Sequence, residues 1–429
     1  MRLSVIGTGY VGLVTAVCFA DLGHHVIGVD VNAERVKLLA GGKSPIFEPG
    51  VDELLSGGLH AGRLKFTTDT SEAVKSSDVI FITVGTPSLE SGDADLTAVA
   101  AVAEAIAPAL TDYRLIVEKS TVPVRTGERI RDQIHLLTQG HVPFDVASNP
   151  EFTREGSAVH DFMNPDRIVL GVANERSERL LRDLYQSFDC PILVTDLATA
   201  ELIKHASNAF LALKISYINA VANVCESVGA DVRLVADGMG YDARIGRAFL
   251  DAGVGYGGSC FPKDVSAFIK IAREAGYEFR LLEEVARIND GQRELLLRHL
   301  KEALWVLRNR TVSVIGLTYK PNTDDIRDAP AVNIIESLLR EGAHVRAYDP
   351  VGEAHTRRRF PNIEYCPDVY AAAQNSDALV LLTEWEEFRT LDLGRVRSAM
   401  RRPVLIDGRN ILDPKAARAQ GFHYAGIGR

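Results

Sequence analysis

The chain has 429 residues, of which 46% are hydrophobic and 24% charged, and its formal net charge at pH 7 is −9. This length predicts two or three domains with sizeable cores, and the composition excludes a chain that is disordered throughout. The negative charge argues against nucleic acid or an anionic membrane as a partner, because both repel an acidic surface.

The apolar and cysteine patterns predict the compartment. The N-terminus lacks a secretory signal, and no apolar stretch approaches the roughly 18 residues of a membrane span. The five cysteines are scattered, without the spacing of a disulfide framework or a zinc site. We therefore expect a cytoplasmic protein with reduced thiols and no bound metal.

The first part of the chain alternates apolar strand patterns with helical patterns such as 96–110, as in a parallel, doubly wound sheet. The predicted strands are 3–6, 25–30, 79–84, 115–120 and 166–171. A helix from about residue 11 to 22 completes the first β-α-β unit. We assign residues 1–195 to an N-terminal Rossmann domain.

A glycine fingerprint directly follows the first strand and opens the first helix. Gly7 permits a tight turn, Gly9 lets the backbone approach a pyrophosphate, and Gly12 allows close packing of helix on strand. Asp30, at the end of the second strand, would accept hydrogen bonds from ribose hydroxyls and repel a 2′-phosphate. The alternative is a purely structural turn, but the context favours a site for NAD over one for NADP.

Thr86 and Pro87 follow another strand, at the edge of the sheet where ligands dock in open α/β folds. We expect them to border the cofactor. On spacing alone, a plain loop is as good an interpretation.

The middle of the chain is helical. One pattern runs from 198 to about 228 without Pro or Gly, and others cover 264–276 and 281–307. The first is long for a globular helix, so we interpret it as a spine between domains and as an oligomer contact. We assign residues 196–308 to a central helical domain.

Strand and helix patterns then resume, which predicts a second Rossmann-like domain over residues 309–429. The predicted fold is therefore α/β, with two Rossmann-like, doubly wound parallel-sheet domains joined by a helical middle with one long spine helix.

The segment 255–264, GYGGSCFPKD, places Cys260 in a glycine loop just ahead of a helix. Helix N–H groups and the nearby Lys263 would lower the pKa of this thiol toward the reactive thiolate. Cys18, Cys190 and Cys225 are more simply interpreted as buried apolar residues.

This loop belongs to an ordered set of long motifs. The others are GTGYVGL near the N-terminus, EKSTVP at 118–123, NPEF at 149–152, LTYKPNTDDIR at 317–327 and DGRN at 407–410. Together they resemble the UDP-glucose 6-dehydrogenase family of nucleotide-sugar dehydrogenases over nearly the whole chain.

The resemblance implies a four-electron oxidation of a UDP-sugar at C6, in which two NAD molecules accept hydride in turn. It implies that Cys260 adds to the aldehyde as a thiohemiacetal, whose oxidation gives a thioester that water hydrolyses. Lys204 and Asn208, one helical turn apart, would hold the oxyanion and substrate. Asp264 would be the acid/base partner, acting with Thr121 and water, and Glu151 would direct hydrolysis.

The same resemblance implies further contacts. Those with the cofactor are Tyr10, Val11, Arg35, Thr121, Glu155, Lys263 and Arg327. Those with the substrate, besides Glu151, Lys204 and Asn208, are Phe152, Arg244, Phe249, Tyr256, Gly257, Phe261, Lys320 and Arg409. Arg244 would come from the neighbouring subunit, so a homodimer is expected. Taken singly, each charge is better explained as a surface group, and core packing explains Phe249 and Phe261 equally well.

The chain departs from the family pattern at three positions near the sugar pocket. Thr153 replaces the usual Leu, His205 stands where Tyr is common, and Ala220 stands where Glu is frequent. The alternatives are therefore another nucleotide sugar, such as GDP-mannose or a UDP-N-acetylhexosamine, and a single-step 6-phosphogluconate-like or β-hydroxyacid dehydrogenase. A non-catalytic NAD-sensing protein is a further alternative, which the Cys, Lys and Asp set argues against.

Overall fold

The computed structural model describes residues 1–89 and 92–429. The chain forms two units. The first comprises Met1–Ser207 and Ser266–Ala275, and the second comprises Asn208–Val265 and Gly276–Arg429. The division into three domains at residues 195 and 308 stays a prediction.

The first unit is built on an eight-stranded sheet of order β3-β2-β1-β4-β5-β6-β7-β8. Its strands are β1 Arg2–Ile6, β2 His25–Val29, β3 Leu64–Thr67, β4 Val79–Ile82, β5 Arg114–Glu118, β6 Phe144–Ser148, β7 Ile168–Gly171 and β8 Ile192–Thr195. The central strands are apolar on both faces because helices cover both; all four residues of β4 are buried.

Among the described residues, eight helices lie wholly within this unit and connect its strands. They are α1 Tyr10–Asp21, α2 Ala33–Ala40, α3 Val51–His60, α4 Thr70–Ser76, α5 Thr97–Ile106, α6 Thr126–Thr138, α7 Ala158–Met163 and α8 Glu175–Leu184, with a short 3-10 turn at Ala107–Ala109. One face of the sheet packs around Phe19, Phe81 and Leu115, and the other around Ile80 and Ile116.

The first sheet differs from the prediction in two respects: three of its strands, β3, β6 and β8, were not among the predicted ones, and one pair of strands is antiparallel. Ser148 of β6 pairs with Gly171 of β7 in the antiparallel sense, and β8 then runs parallel to β7. The expectation of a wholly parallel sheet was therefore wrong at this pair. The two strands are joined by a loop and the short helix α7, and alternation of apolar patterns does not reveal strand direction.

Helix α9, Leu197–Val228, is the predicted spine, and its 32 residues match the predicted limits within one position. It is followed by α10 Val232–Gly240, α11 Phe261–Glu274 and α12 Arg280–Leu304. Helix α12 buries residues three and four apart, such as Leu296 and Leu300, which is the pattern of an amphipathic helix.

The second unit contains a six-stranded parallel sheet of order β11-β10-β9-β12-β13-β14. Its strands are β9 Thr311–Ile315, β10 His344–Tyr348, β11 Glu364–Tyr365, β12 Ala378–Leu381, β13 Val404–Asp407 and β14 His423–Gly426. Its remaining helices are α13 Pro330–Arg340, α14 Glu353–Arg359, α15 Val369–Ala373, α16 Glu386–Arg389, α17 Leu393–Ala399 and α18 Pro414–Ala419. The fold class that the sequence predicts, α/β with two Rossmann-like sheets, is confirmed.

The two sheets share a turn that the sequence patterns did not reveal. Gly316 after β9 has φ 87°, and Gly7 after β1 has φ 98°. In both turns a carboxylate that follows the next strand accepts backbone N–H groups: Asp30 accepts from Thr8, and Asp349 accepts from Leu317 at 2.7 Å. Each sheet therefore begins with the same strand, glycine and aspartate arrangement.

None of the helices in the described part of the chain is both long and apolar enough to cross a membrane.

Candidate active site

The glycine fingerprint forms the turn between β1 and α1. A Cβ at Gly12 would lie 1.8 Å from the carbonyl oxygen of Gly7, so only glycine permits this close packing. At Gly9, in contrast, no described atom lies within 4 Å of the position that a Cβ would take. The start of α1, with Tyr10 and Val11 as its first residues, thus offers N–H groups beside open space, which fits a pyrophosphate.

Asp30 lies beside this turn, as predicted. One carboxylate oxygen accepts hydrogen bonds from the Thr8 N–H at 3.0 Å and the Thr8 hydroxyl at 2.9 Å, and it is 3.0 Å from the Arg35 guanidinium. Burial opposes the charge, but these donors and the N–H of Asn32 outweigh it and lower the pKa of Asp30. The carboxylate is ionised and oriented, as recognition of a ribose requires.

Two further loops border the turn in the first unit. The hydroxyl of Thr86 donates to the carbonyl oxygen of Thr121 at 2.7 Å, whereas Pro87 is exposed. The Tyr10 hydroxyl is bonded to the carboxylate of Glu48, which also accepts the N–H of Ala158 at 2.7 Å. These contacts position the half-buried loop that carries Glu155.

Glu151 and Lys204 form a buried ion pair, with Nζ 3.1 Å from Oε1 and side chains 8% and 5% exposed. Thr153 donates to Glu151 Oε2 from both its N–H and its hydroxyl, each at 2.7 Å. Burial alone would raise the pKa of Glu151, but Lys204 and Thr153 lower it. The departure at Thr153 therefore adds a hydroxyl donor that a leucine could not supply.

Lys204 also lies over the ring of Phe152, 5.4 Å from its centroid, and Arg167 covers the same ring at 3.7 Å. Phe152 is thus placed beside the ion pair by cation–π contacts. The structure brings together Glu151, Phe152 and Lys204, as the sequence predicted for the substrate site.

The sequence patterns did not reveal that Lys119 is buried close to Glu151. Its Nζ donates to Oδ1 of Asn149 at 3.0 Å, and burial lowers its pKa to about 8, although Glu151 acts in the opposite direction. A lysine that directly follows a strand is usually solvated, so only the fold reveals that this one is buried.

In the second unit, the loop around Cys260 packs against the segment that follows β9. A Cβ at Gly257 would lie 2.2 Å from the carbonyl oxygen of Asp328, and one at Gly258 would lie 2.6 Å from the Tyr319 ring. Gly258 donates its N–H to the carbonyl of Arg327 at 2.9 Å. The glycines of this motif therefore permit close approach of two loops.

Cys260 directly precedes α11, and its carbonyl accepts the N–H of Asp264 at 2.8 Å, which is the first bond of the helix. Its side chain is partly exposed, whereas Cys18, Cys225 and Cys366 are buried. Burial raises the pKa of Cys18 to about 12, so that thiol is unreactive at neutral pH. Exposure and helix position together favour Cys260 as the nucleophile.

Asp264 is buried and connected to two of the predicted residues. Asn208 of α9 donates from Nδ2 to Oδ2 at 2.6 Å, and Lys263 Nζ lies 3.0 Å from Oδ1. Asp264 lies one turn after Cys260, the residue that precedes α11, so positions 260 and 264 lie on the same side of the helix start.

Aromatic rings line the same loop. The ring of Phe261 lies 5.7 Å from that of Tyr256 and 6.3 Å from that of Phe249, measured between centroids. Phe249 adopts a left-handed backbone with φ 65°, which is unusual for a bulky residue. Such strain is common beside functional sites.

The predicted basic contacts differ in their surroundings. Arg409 donates to the backbone carbonyls of Gly255, Tyr319 and Leu382 at 2.8–3.1 Å, so it holds the Cys260 loop and the loop after β9 together. Lys320 lies beside the ring of Tyr319. The sequence predicted substrate contacts for both residues but not this bridging function of Arg409.

Two further arginines are on the surface of the second unit. Arg327 is paired with Asp325 at 2.7 Å, and Arg244 is paired with Asp242 at 2.6 Å. Their side chains are 63% and 88% exposed. Ala220 is half-buried, and nothing in the structure explains its departure from the family pattern.

Three sequence models of the UDP-glucose/GDP-mannose dehydrogenase family match successive parts of the chain. The NAD binding domain matches residues 1–189, the central domain matches 198–291, and the UDP binding domain matches 313–414. NAD is therefore the cofactor, in agreement with the turn at Gly7 and with Asp30.

Individual relatives are similar over their full length. The chain is 47% identical to the UDP-glucose 6-dehydrogenase TuaD of Bacillus subtilis, with 100% of this chain and 93% of that protein aligned. It is 46% identical to a UDP-glucose 6-dehydrogenase of Rhizobium meliloti over 100% of both. The structure of a UDP-glucose dehydrogenase from Pyrobaculum islandicum superposes with a TM-score of 0.94 at 42% identity, covering 99% of this chain and 97% of that one. The sequence motifs, the site residues and these similarities lead to one conclusion: the chain belongs to the UDP-glucose/GDP-mannose dehydrogenase family.

Proposed function

We propose that this protein oxidises UDP-glucose to UDP-glucuronate at the expense of two NAD. The observation that carries the proposal is the partly exposed Cys260 at the start of α11, one turn from the buried Asp264 and Asn208 pair. A nucleophilic thiol is needed for the second of two oxidations at one carbon, and full-length relatives named for UDP-glucose support that sugar.

The chemistry of the chain's own residues follows from their contacts. NAD, when bound, accepts hydride from the sugar carbon in each oxidation. The Cys260 thiolate adds to the aldehyde carbon and forms a C–S bond, while the carbonyl oxygen takes up a proton to give a thiohemiacetal. Oxidation of that adduct gives a thioester. Water then breaks the C–S bond and releases the carboxylate and the thiolate.

The remaining residues stabilise charge and move protons. The ammonium group of Lys204 and the amide of Asn208 are rigid donors suited to a developing oxyanion. Asp264 is the proton acceptor. Asn208 and Lys263 hold its carboxylate in a fixed orientation. Glu151, kept ionised by Lys204 and Thr153, directs water with Thr121 during hydrolysis.

The decisive experiment is a panel of nucleotide sugars, namely UDP-glucose, GDP-mannose and UDP-N-acetylhexosamines, assayed for NADH release per sugar consumed. We expect UDP-glucose to be preferred, with two NADH per sugar and no free aldehyde. A ratio of one would indicate a single-step dehydrogenase of the β-hydroxyacid kind, and cofactor binding without turnover would indicate a sensor. Preference for another sugar would keep the mechanism and change the substrate.

The role of Cys260 is tested by Cys260→Ser, with Cys190→Ser as the matched control. The control thiol is half-buried, and burial raises its pKa. We expect the Cys260 variant to stall before the second NADH while the control turns over normally. Equal turnover of both variants would remove the thioester mechanism.

We further propose that the protein is a homodimer. Supporting this, Phe210, Tyr217 and Val224 of α9 recur every seven residues with 53–60% of their surfaces exposed, which forms an apolar stripe on one helix face. Arg244, highly exposed, would reach the neighbouring site.

Mixing inactive variants tests this contribution of Arg244. A heterodimer of Arg244→Ala and Cys260→Ser subunits has one complete site only if Arg244 acts in trans. We expect about a quarter of wild-type activity after random mixing of subunits. No recovery would place Arg244 in its own subunit's site or outside the site.

We also retain two proposals on organisation. The protein acts in the cytoplasm, which the five free cysteines favour because oxidising compartments promote disulfides. Its functional division is into an NAD-binding part to residue 195, a helical part to residue 308 and a sugar-nucleotide part beyond it.

A further inference from the structure

His205 is one residue beyond Lys204 on α9, and it is 1% exposed. Its Nε2 lies 2.7 Å from the carbonyl oxygen of Val122, the residue after Thr121. A carbonyl oxygen accepts and cannot donate, so Nε2 carries the hydrogen in this contact. His205 therefore binds the backbone directly beside a proposed catalytic hydroxyl.

The segment between β5 and α6 depends on such contacts for its conformation. Residues 119–125 belong to no helix or strand, and backbone N–H groups of the segment bond to the neighbouring strand only at its start, where Lys119 and Ser120 donate to the carbonyl of Ile82. Beyond that point, side chains hold the backbone. Thr86 donates to the carbonyl of Thr121 at 2.7 Å, and His205 donates to the next carbonyl along the chain.

The far end of the segment is held by the same helix. Glu201, one turn before His205 on α9, accepts the N–H of Arg125 at 2.5 Å and that of Gly127 at 2.7 Å. The ring of His205 also lies 6.3 Å from that of Phe268 on α11. Helix α9 thus supplies Lys204 and two of the anchors of the Thr121 segment, His205 and Glu201.

We propose that His205 is a positioning residue, whose bond from Nε2 to the Val122 carbonyl orients the Thr121 hydroxyl for hydrolysis of the thioester. This rests on the proposed function, in which Thr121 directs water with Glu151 during hydrolysis. Loss of the donor leaves a buried carbonyl without this partner and lets Thr121 turn away. Both oxidations precede hydrolysis, so we expect the main effect of His205 after the second hydride transfer.

The test compares His205→Phe, which lacks a donor, with His205→Gln, whose amide keeps one. Ser313→Ala is the matched control, since it removes another buried bond from a side chain to a carbonyl, that to Ala372 at 2.6 Å. Rapid-quench measurements give the first-turnover NADH burst and steady-state kcat. Mass spectrometry of acid-quenched enzyme measures the acyl adduct on Cys260. If His205→Phe yields little folded protein, the smaller His205→Leu takes its place.

We expect His205→Phe to retain the burst, to lower kcat by about tenfold, and to accumulate the adduct. The KM values for NAD and UDP-glucose should stay within about twofold, and His205→Gln should recover most of kcat. Normal kcat in His205→Phe, or equal loss in the Gln variant, would overturn the role of His205. Failure of the wild-type protein to release two NADH per UDP-glucose would instead refute the proposed function itself.

Discussion

The side-chain amide of Asn208 lies 2.6 Å from a carboxylate oxygen of Asp264, and both residues are buried. This bond orients the carboxylate one turn after Cys260 on α11. An acceptor held in this way is suited to proton transfer, since the donor fixes its rotamer.

We expect Asp264→Asn to lower kcat by roughly 10²- to 10⁴-fold, because an amide cannot take up the proton. Glu274→Gln, at the exposed end of the same helix, is the control and should be silent. Steady-state kinetics of Asn208→Ala and of the double variant Asn208→Ala with Asp264→Asn complete a double-mutant cycle. If Asn208 acts through Asp264, the double variant should be little slower than Asp264→Asn.

Because Lys204 and Glu151 form a buried ion pair, we expect removal of one partner to lower the free energy of unfolding strongly. Lys204→Met leaves Glu151 as an uncompensated buried charge, so we expect a loss of about 3 kcal/mol in the free energy of unfolding, measured with urea. The double variant Lys204→Met with Glu151→Gln should recover part of this loss. No recovery would mean that the two charges are not coupled.

The carboxylate of Asp30 should determine the preference of the protein for NAD over NADP. We expect Asp30→Ala to lower kcat/KM for NAD by roughly 10- to 100-fold, because hydrogen bonds to a charged acceptor are lost. The ratio of activity with NADP to activity with NAD should rise, since Arg35 then lacks its carboxylate partner. Asp21→Ala, an exposed change at the end of α1, is the control. An unaltered cofactor ratio in Asp30→Ala would contradict this assignment.

The buried carboxyl group of Glu118 should make the stability of the folded protein depend on pH. Burial raises its pKa from the ordinary 4.5 to about 8, and Oε2 has no hydrogen-bond partner among the described residues. The folded state therefore keeps the proton between about pH 4.5 and 8 while the unfolded chain loses it, so stability falls as pH rises through this window.

Glu118→Gln stays neutral at every pH, and we expect it to raise Tm more at pH 9 than at pH 5. The exposed Glu53→Gln should show no such difference. The measurement is the Tm of the wild-type protein and of both variants, from thermal unfolding at pH 5, 7 and 9. A Tm increase that is independent of pH would mean that Glu118 is already ionised in the folded protein.

Most of the strands, the long helix α9 and the glycine turns could be predicted from the sequence because their causes are local. A Cβ clash at Gly12, the apolar residues of β4 and the absence of Pro and Gly over α9 each act within a few residues. Cys260 was identifiable for the same reason, since its glycine loop and its position ahead of a helix are local features, whereas Asp264 was identified through the resemblance to the family.

Three features could not be predicted from the sequence because they depend on contacts between residues far apart in the chain. The antiparallel pairing of Ser148 with Gly171, the burial of Lys119 and the carbonyl contacts of Arg409 join segments far apart in the chain. Local patterns carry no information on which charge becomes buried or which carbonyl it meets. The sequence by itself thus determined the elements and the chemistry of their side chains, whereas packing decided which of these side chains hold one another in place.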